Sequence, residues 1–245
     1  MHRCLVQTET VLSNAGELDR ERAHHLLNVL RVRDGDVVEF FDGCGHTRKM
    51  TVRPFAKRGL GFSAAEPAVA VARPSVALTL FACVSKGKRM DWTVEKAVEL
   101  SVSRIVPVLS ERTVVKIAPE ECAQKAERWM RVAEDAARQC DAAWLPEILP
   151  PVGFQEAVEM LPTAAPVFFG ALLPKVRLFR DGLRPWLDCP PKQAGWFVGP
   201  EGDFSPDEMD RLIAAGAEPV GLGDRILRTE TACIYGLCVL NSCFL

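Results

Sequence analysis

The sequence predicts an α/β domain with a mostly parallel sheet over residues 74–245, preceded by a small β-barrel over residues 1–73. Three observations carry this expectation. Apolar runs at 76–84, 105–109, 167–169 and 196–198 are nearly continuous, as in parallel strands covered on both faces. Amphipathic helical stretches lie between them. Ahead of Ala72-Arg73-Pro74-Ser75 the pattern changes to short strands and glycine turns.

In chain order, a helical stretch at 21–30 comes first. The run 37–41, the turn Asp42-Gly43-Cys44-Gly45 and the run 46–52 then read as a hairpin. In the second domain the strand at 76–84 leads into a polar loop at 85–90. Val94, Ala97, Val98 and Val102 follow at helical spacing, and 105–109 returns as a strand, which completes a βαβ unit. The next helix carries Ala126, Met130, Ala133, Ala137 and Cys140 on one stripe. Ser205-Pro206-Asp207-Glu208 is a capping box with proline at the first helical position, and it turns Met209, Leu212 and Ile213 inward. Thr229 is placed to cap a last helix through Ile234, Tyr235, Cys238 and Val239.

The formal net charge of -2 over 245 residues gives no global attraction for nucleic acid, so any RNA contact needs a local patch. The nine cysteines are odd in number and form no C-x-x-C pair. This argues against a disulfide framework or a zinc site and for a reducing, cytoplasmic setting, with most thiols serving as small core residues. The four histidines, His2, His24, His25 and His46, all lie in the first fifth of the chain. The second domain therefore has neither a Ser-His-Asp triad nor a histidine-held metal of its own. No secretory signal is expected at the start and no stretch is apolar for long enough to span a bilayer, so neither a membrane nor a metal is an expected partner.

Two glycine loops carry the most information. Gly199-Pro200-Glu201-Gly202-Asp203-Phe204 and Leu222-Gly223 each stand between a strand-like run and a helix start. Glycine lets main chain approach a ligand closely. A phosphate loop is the first candidate, but the Lys-Ser/Thr of a Walker motif is absent and Glu201 and Asp203 would repel phosphate. A ligand with a positive centre and no phosphate suits the loops better, and S-adenosylmethionine is one such ligand.

With these loops in hand, the chain resembles the RsmE family of ribosomal RNA methyltransferases within the SPOUT superfamily. The match runs over most of the chain. It includes His25-x-x-x-Val29-Leu30-Arg31, Lys86-Gly87-x-Arg89-Met90-x-Trp92, Lys96-Ala97-x-Glu99-Leu100, Ser110-Glu111-Arg112, Gln139-Cys140 and Pro146-Glu147-Ile148. The most specific motifs are Gly199-Pro200-Glu201-Gly202 and Leu222-Gly223-x-x-Ile226-Leu227-Arg228-Thr229-Glu230-Thr231-Ala232.

The resemblance implies a PUA-like β-barrel at the N-terminus and a SPOUT domain with a deep trefoil knot, assembled as a homodimer. It implies methyl transfer from S-adenosylmethionine to the ring N3 of one uridine in small-subunit (16S) ribosomal RNA. It also implies a cofactor site built from Gly170, Leu172, Gly199, Pro200, Glu201, Gly202, Leu222, Gly223, Ile226, Leu227 and Arg228. Arg228 and Glu230 are the catalytic candidates: the first to stabilise a uracil anion, the second as a substrate contact or base. Against these roles stand an Arg228–Glu230 ion pair and a glutamate favoured only by the helix dipole.

The RNA candidates are Lys86, Lys88 and Arg89 in the polar loop, Arg112 past a strand end, and a strip in the first domain. That strip holds Arg48, Lys49, Arg53, Lys57 and Arg58, extended by Arg31 and Arg33, although a solvated hairpin face explains it equally well. Tryptophans read as core, except Trp144, which could stack on a base. The chain departs from the family pattern at Ser101 and Asp203, where the family usually has glycine. It departs again at Asp141-Ala142, where the family usually reads Gly-Arg. The lost arginine leaves two other readings open: a non-catalytic RNA- or ribosome-binding relative, and a methyltransferase with a different RNA target.

Overall fold

Alternating burial along three strands builds the first sheet. Val38 and Phe40, Met50 and Val52, and Leu60 and Phe62 turn inward with Val11 and Leu26 to form one core. The structure is a computed structural model that describes residues 1–55 and 59–244; Lys57 and Arg58 lie outside the described residues. The chain divides into two compact units. One is Met1–Arg73 with Ala137–Leu145, and the other is Pro74–Ala136 with Pro146–Leu245.

The first unit contains β1 (His2–Leu5), α1 (Thr8–Leu12), β2 (Ala15–Glu17), α2 (Arg20–His24), β3 (Val37–Phe41), β4 (His46–Phe55), β5 (Gly59–Ala64) and β6 (Val69–Ala70). The strand order is β1-β3-β4-β5-β2, with β6 on β4. Among the described residues only β1 and β3 run parallel. The helix expected at 21–30 is α2 continued by a π turn at His25–Val29, and the chain leaves it through Arg31 in the left-handed region (φ 56°).

The β3–β4 turn is organised by Asp42, whose side chain is buried. It accepts hydrogen bonds from the amides of Cys44 (2.7 Å) and His46 (2.9 Å), the Thr8 hydroxyl (2.8 Å) and the His46 ring (2.7 Å). Burial disfavours the Asp42 charge, but these donors outweigh it and hold the carboxyl below its ordinary value.

Residues 137–145 belong to this unit through specific bonds. The buried Arg3 donates from Nη1 to the carbonyls of Ala137 (2.6 Å) and Ala142 (3.1 Å) and from Nε to Glu39 (2.6 Å), with its guanidinium over Phe41. Gly45 N–H donates to Ala143 O and Leu145 N–H to Gly43 O. Trp144 donates its indole N–H to Val71 O (3.0 Å) and lies under Arg73, 4.1 Å from guanidinium to ring. The base-stacking expectation for Trp144 gives way to these contacts. Gly45 (φ 97°) is required beside it, since a Cβ there would stand 2.3 Å from the indole.

In the second unit the elements are β7 (Ala77–Cys83), α3 (Arg89–Glu99), β8 (Arg104–Leu109), α4 (Cys122–Gln139, whose last turn joins the first unit), β9 (Glu147–Ile148), β10 (Val152–Gly153) and α5 (Phe154–Glu159). They continue with β11 (Val167–Gly170), α6 (Phe179–Leu187), β12 (Gln193–Val198), α7 (Pro206–Ala214), β13 (Glu218–Val220) and α8 (Thr229–Phe244). The order is β10-β8-β7-β12-β11-β13, with β9 also on β8, and every pairing is parallel. All strands therefore end on one edge, and the loops after β7, β12, β11 and β13 stand side by side there, where α/β sheets place their ligands.

Several details differ from the sequence expectation. Ile213 is half exposed while Leu212 is buried, and Cys140 falls beyond the end of α4 and is exposed. Only Cys4, Cys83 and Cys233 are buried among the nine cysteines, so most thiols are not core residues; burial pushes the Cys83 thiol up to about 12. Trp129 and Trp196 are core, whereas Trp92 is exposed. The positions where the resembled family usually has glycine find a physical account. Ser101, Asp141 and Asp203 all take left-handed backbone (φ 59°, 58° and 58°), which glycine adopts without cost and aspartate tolerates better than most residues.

Candidate active site

The loop after β12 is fixed from three sides. Phe204 is buried among Phe197, Phe154 and Phe169, with ring centroids 5.4, 5.8 and 6.1 Å away. Asp203 N–H closes a turn onto Pro200 O (2.9 Å), and its side chain accepts from Phe204 N–H (2.8 Å). Arg112, from the loop after β8, donates to the carbonyls of Gly202 (3.0 Å) and Phe204 (3.4 Å). Just beyond, Ser205 caps α7 with Glu208, as the sequence predicts. The other carboxylate oxygen of Glu208 accepts from Glu111 N–H (2.8 Å), which ties the two loops together.

Thr229 does not cap α8. The Arg228 carbonyl accepts the first helical bond from Ala232 N–H (2.8 Å), and the buried Thr229 hydroxyl donates instead to Gly199 O (3.2 Å). The two glycine motifs are thus joined directly. Beneath them, Trp196 donates to Ala232 O (3.1 Å) and packs against Gly236, where a Cβ would stand 2.1 Å from the indole.

These loops enclose a cavity of about 560 Å³. Of the residues expected around it, Gly170, Leu172, Gly199, Pro200, Glu201, Leu222, Gly223, Ile226, Leu227 and Arg228 line it. Gly202 does not, because it faces Arg112. The sequence motifs do not include Leu173, Pro174 and Val176, which follow β11 at the same sheet edge, nor Arg225, yet all four line the cavity. Their only signal in the sequence is position after a strand end.

A second, open cleft of about 830 Å³ shares Ile226, Leu227 and Arg228 with the first and adds Lys86, Lys88, Arg89, Trp92, Glu230 and Thr231. Arg228 is exposed, and among the described residues it has no ion pair; the Arg228–Glu230 pair does not form. Glu230 lies in the first turn of α8, mostly buried. Its Oε1 is 3.8 Å from Arg89 Nε, and its Oε2 has no partner among the described residues. Arg89 also donates to Glu201 Oε1 (2.9 Å). Lys86 and Lys88 are exposed. None of residues 141–144 lines either cavity.

In the first unit the expected RNA strip is largely committed. Arg48 donates to the carbonyls of Glu66, Leu12 and Ser13 and to Asn14, Lys49 pairs with Glu66 (3.0 Å), and Arg53 lies 3.5 Å from Asp34. Arg31 and Arg33 remain exposed without an ion pair among the described residues. Among the described residues no group of three or more His, Cys, Asp and Glu is placed to hold a metal, and no helix is long and apolar enough to cross a membrane.

A parallel sheet with a glycine-walled cavity and a cationic cleft at its carboxyl edge defines a small-molecule-dependent enzyme class, and comparison with known proteins narrows it. The family model described as "RNA methyltransferase domain" matches residues 72–241, and one described as "RNA methyltransferase PUA domain" matches residues 18–53. The chain is 31% identical to ribosomal RNA small subunit methyltransferase E of Synechocystis sp. over 98% of its length and 77% of the relative's. It is 26% identical to the protein of the same name from Bacillus subtilis, over 90% of its length and 87% of the relative's. The chain belongs to this methyltransferase E (RsmE) family. It also resembles the crystal structure of the Neisseria gonorrhoeae enzyme bound to S-adenosyl methionine (TM-score 0.87, 29% identity, 99% and 97% of the two chains). A putative methyltransferase from Legionella pneumophila, solved with bound SAM, gives a TM-score of 0.85 at 30% identity over 98% and 96% of the two chains.

Proposed function

We propose that this chain transfers the methyl group of S-adenosylmethionine to the ring N3 of a uridine in small-subunit ribosomal RNA. The observation that carries the reading is the meeting of two unlike cavities at Ile226, Leu227 and Arg228: a glycine-walled, mostly apolar one and an open, cationic one.

The first cavity suits the cofactor. Its volume falls in the range of small-molecule sites. Glycines 170, 199, 221 and 223 leave main chain bare along its wall, and Glu201 and Asp203 favour a cationic ligand over a phosphate. Gly170, Leu172, Gly199, Pro200, Glu201, Leu222, Gly223, Ile226 and Leu227 would hold it. Bound there, S-adenosylmethionine supplies a methyl group on a sulfonium that departs as a neutral thioether, chemistry that calls for neither a metal nor an electron sink.

The rest falls to side chains. N3 of uridine carries a proton that must leave before its lone pair can form a bond to carbon. Glu230 lines the cleft and takes the role of proton acceptor. Arg228, with no competing carboxylate among the described residues, stabilises the uracil anion. Lys86 and Lys88 line the same cleft and meet RNA phosphates. Arg112 is assigned to the loop it supports rather than to RNA. A second copy of the chain covers α8, where Tyr235 is 42% exposed, and the protein acts in the cytoplasm, where its substrate lies.

The test is incubation with S-adenosylmethionine and small-subunit RNA lacking the modification, followed by mass mapping. One new N3-methyluridine is expected. Methylation at another position would overturn the assignment of the target, and no calorimetric binding of S-adenosylmethionine at high micromolar concentration would overturn the enzyme.

A further inference from the structure

The sequence groups Arg89 with the RNA contacts, but its surroundings assign it other work. It opens α3, directly after the β7 loop, and β7 neighbours β12 in the sheet. That adjacency brings Arg89 to the Gly199–Phe204 loop. Its Nη1 donates to Glu201 (2.9 Å), a wall residue of the glycine-lined cavity, and its Nε lies 3.8 Å from Glu230, a wall residue of the cationic cleft. A single guanidinium stands between one carboxylate of each cavity. The guanidinium also presents donors in two directions, one hydrogen-bonded to Glu201 and the other within ion-pair range of Glu230, which a lysine point charge does not.

We infer that Arg89 is a positioning residue for the methyl transfer, coupling the cofactor loop through Glu201 to the proton-accepting carboxylate of Glu230. The inference rests on the reading of the two cavities as cofactor and substrate sites. It separates Arg89 from its neighbours Lys86 and Lys88, which have no such carboxylate partner among the described residues.

The experiment measures S-adenosylmethionine affinity by calorimetry, and kcat and KM for RNA, in Arg89→Ala, Arg89→Lys, Glu201→Gln and the Arg89→Ala/Glu201→Gln double variant. Arg89→Ala is expected to lower kcat by about tenfold or more and to weaken cofactor binding several-fold, with KM for RNA nearly unchanged. The double variant is expected to bind the cofactor about as weakly as the worse single variant, because residues acting through one contact are not additive. Arg89→Lys keeps the charge without the fork and is expected to restore cofactor affinity more than kcat.

An Arg89→Ala effect confined to KM for RNA, or strict additivity with Glu201→Gln, would overturn the inference and return Arg89 to phosphate contact. The Arg89 side chain is 43% exposed, so the fold is expected to tolerate its loss. If Arg89→Ala melts early, Arg89→Lys and Glu201→Gln carry the same comparison. A wild-type chain that binds no S-adenosylmethionine would instead defeat the methyltransferase reading, and with it this one.

Discussion

The basic strip of the first unit and the basic cleft of the other unit are similar in sequence, since each is a short run rich in lysine and arginine. In the structure they differ in what the charges already hold. Arg48 spends its donors on three carbonyls and an asparagine, and Lys49 and Arg53 face carboxylates. Arg228 holds nothing among the described residues, and with Lys86 and Lys88 it lines an open cleft that adjoins a glycine-walled cavity. A charge committed to its own chain stabilises a fold, and a charge without a partner is available to a ligand. Counting cations along the sequence cannot separate the two.

The sharpest test of the contrast is Arg228→Ala. Turnover is expected to fall by about 10²–10³-fold, as for removal of one donor to a developing anion, while cofactor affinity changes little. A loss of folding instead would move Arg228 into the committed class. The counterpart is Arg48→Ala, expected to cost about 1–2 kcal/mol in urea unfolding as carbonyls lose a charged donor, with kcat and KM for RNA unchanged. A rise in KM at unchanged stability would erase the distinction.

Smaller effects refine it. Lys86→Ala with Lys88→Ala is expected to raise KM for RNA by about tenfold and to flatten the salt dependence of binding by one to two phosphate contacts, roughly one for each lysine. Arg31→Ala and Arg33→Ala test whether the first unit contributes a lesser share of the same kind.

The smallest effect concerns pH. The Asp42 carboxyl is held below its ordinary value of 3.8, so its contribution to the first unit is complete above that value and is lost as pH falls through the lower, folded one. Fluorescence of Trp144, which packs on the same turn, is expected to report a loss of stability in acid below about pH 4. Asp42→Asn is expected to lower stability at neutral pH and to remove that acid dependence.

Local chemistry is legible wherever its cause lies within a few residues. The Ser205–Glu208 capping box, the buried face of α3 and the glycine motifs follow from spacing alone, and the wording of those motifs identifies the family. Sequence patterns mislead where an outcome depends on a distant partner. Thr229 has the spacing of a cap, but the carbonyl of Gly199, thirty residues earlier in the chain, takes its hydroxyl. Trp92 has the setting of a core residue, yet the sheet order leaves it on the wall of the cleft. Gly202 belongs to a ligand motif by sequence, but Arg112 occupies the side it faces.

By itself the sequence determined the α/β fold class, the family and the identity of the loops, because strand, helix and turn formation depend on neighbours along the chain. Only the tertiary structure decided which charges are free. The order β7-β12-β11-β13 sets residues more than a hundred positions apart side by side. That adjacency gives Arg89 two carboxylates, leaves Arg228 with none among the described residues, and makes one site of loops that are separate in the chain.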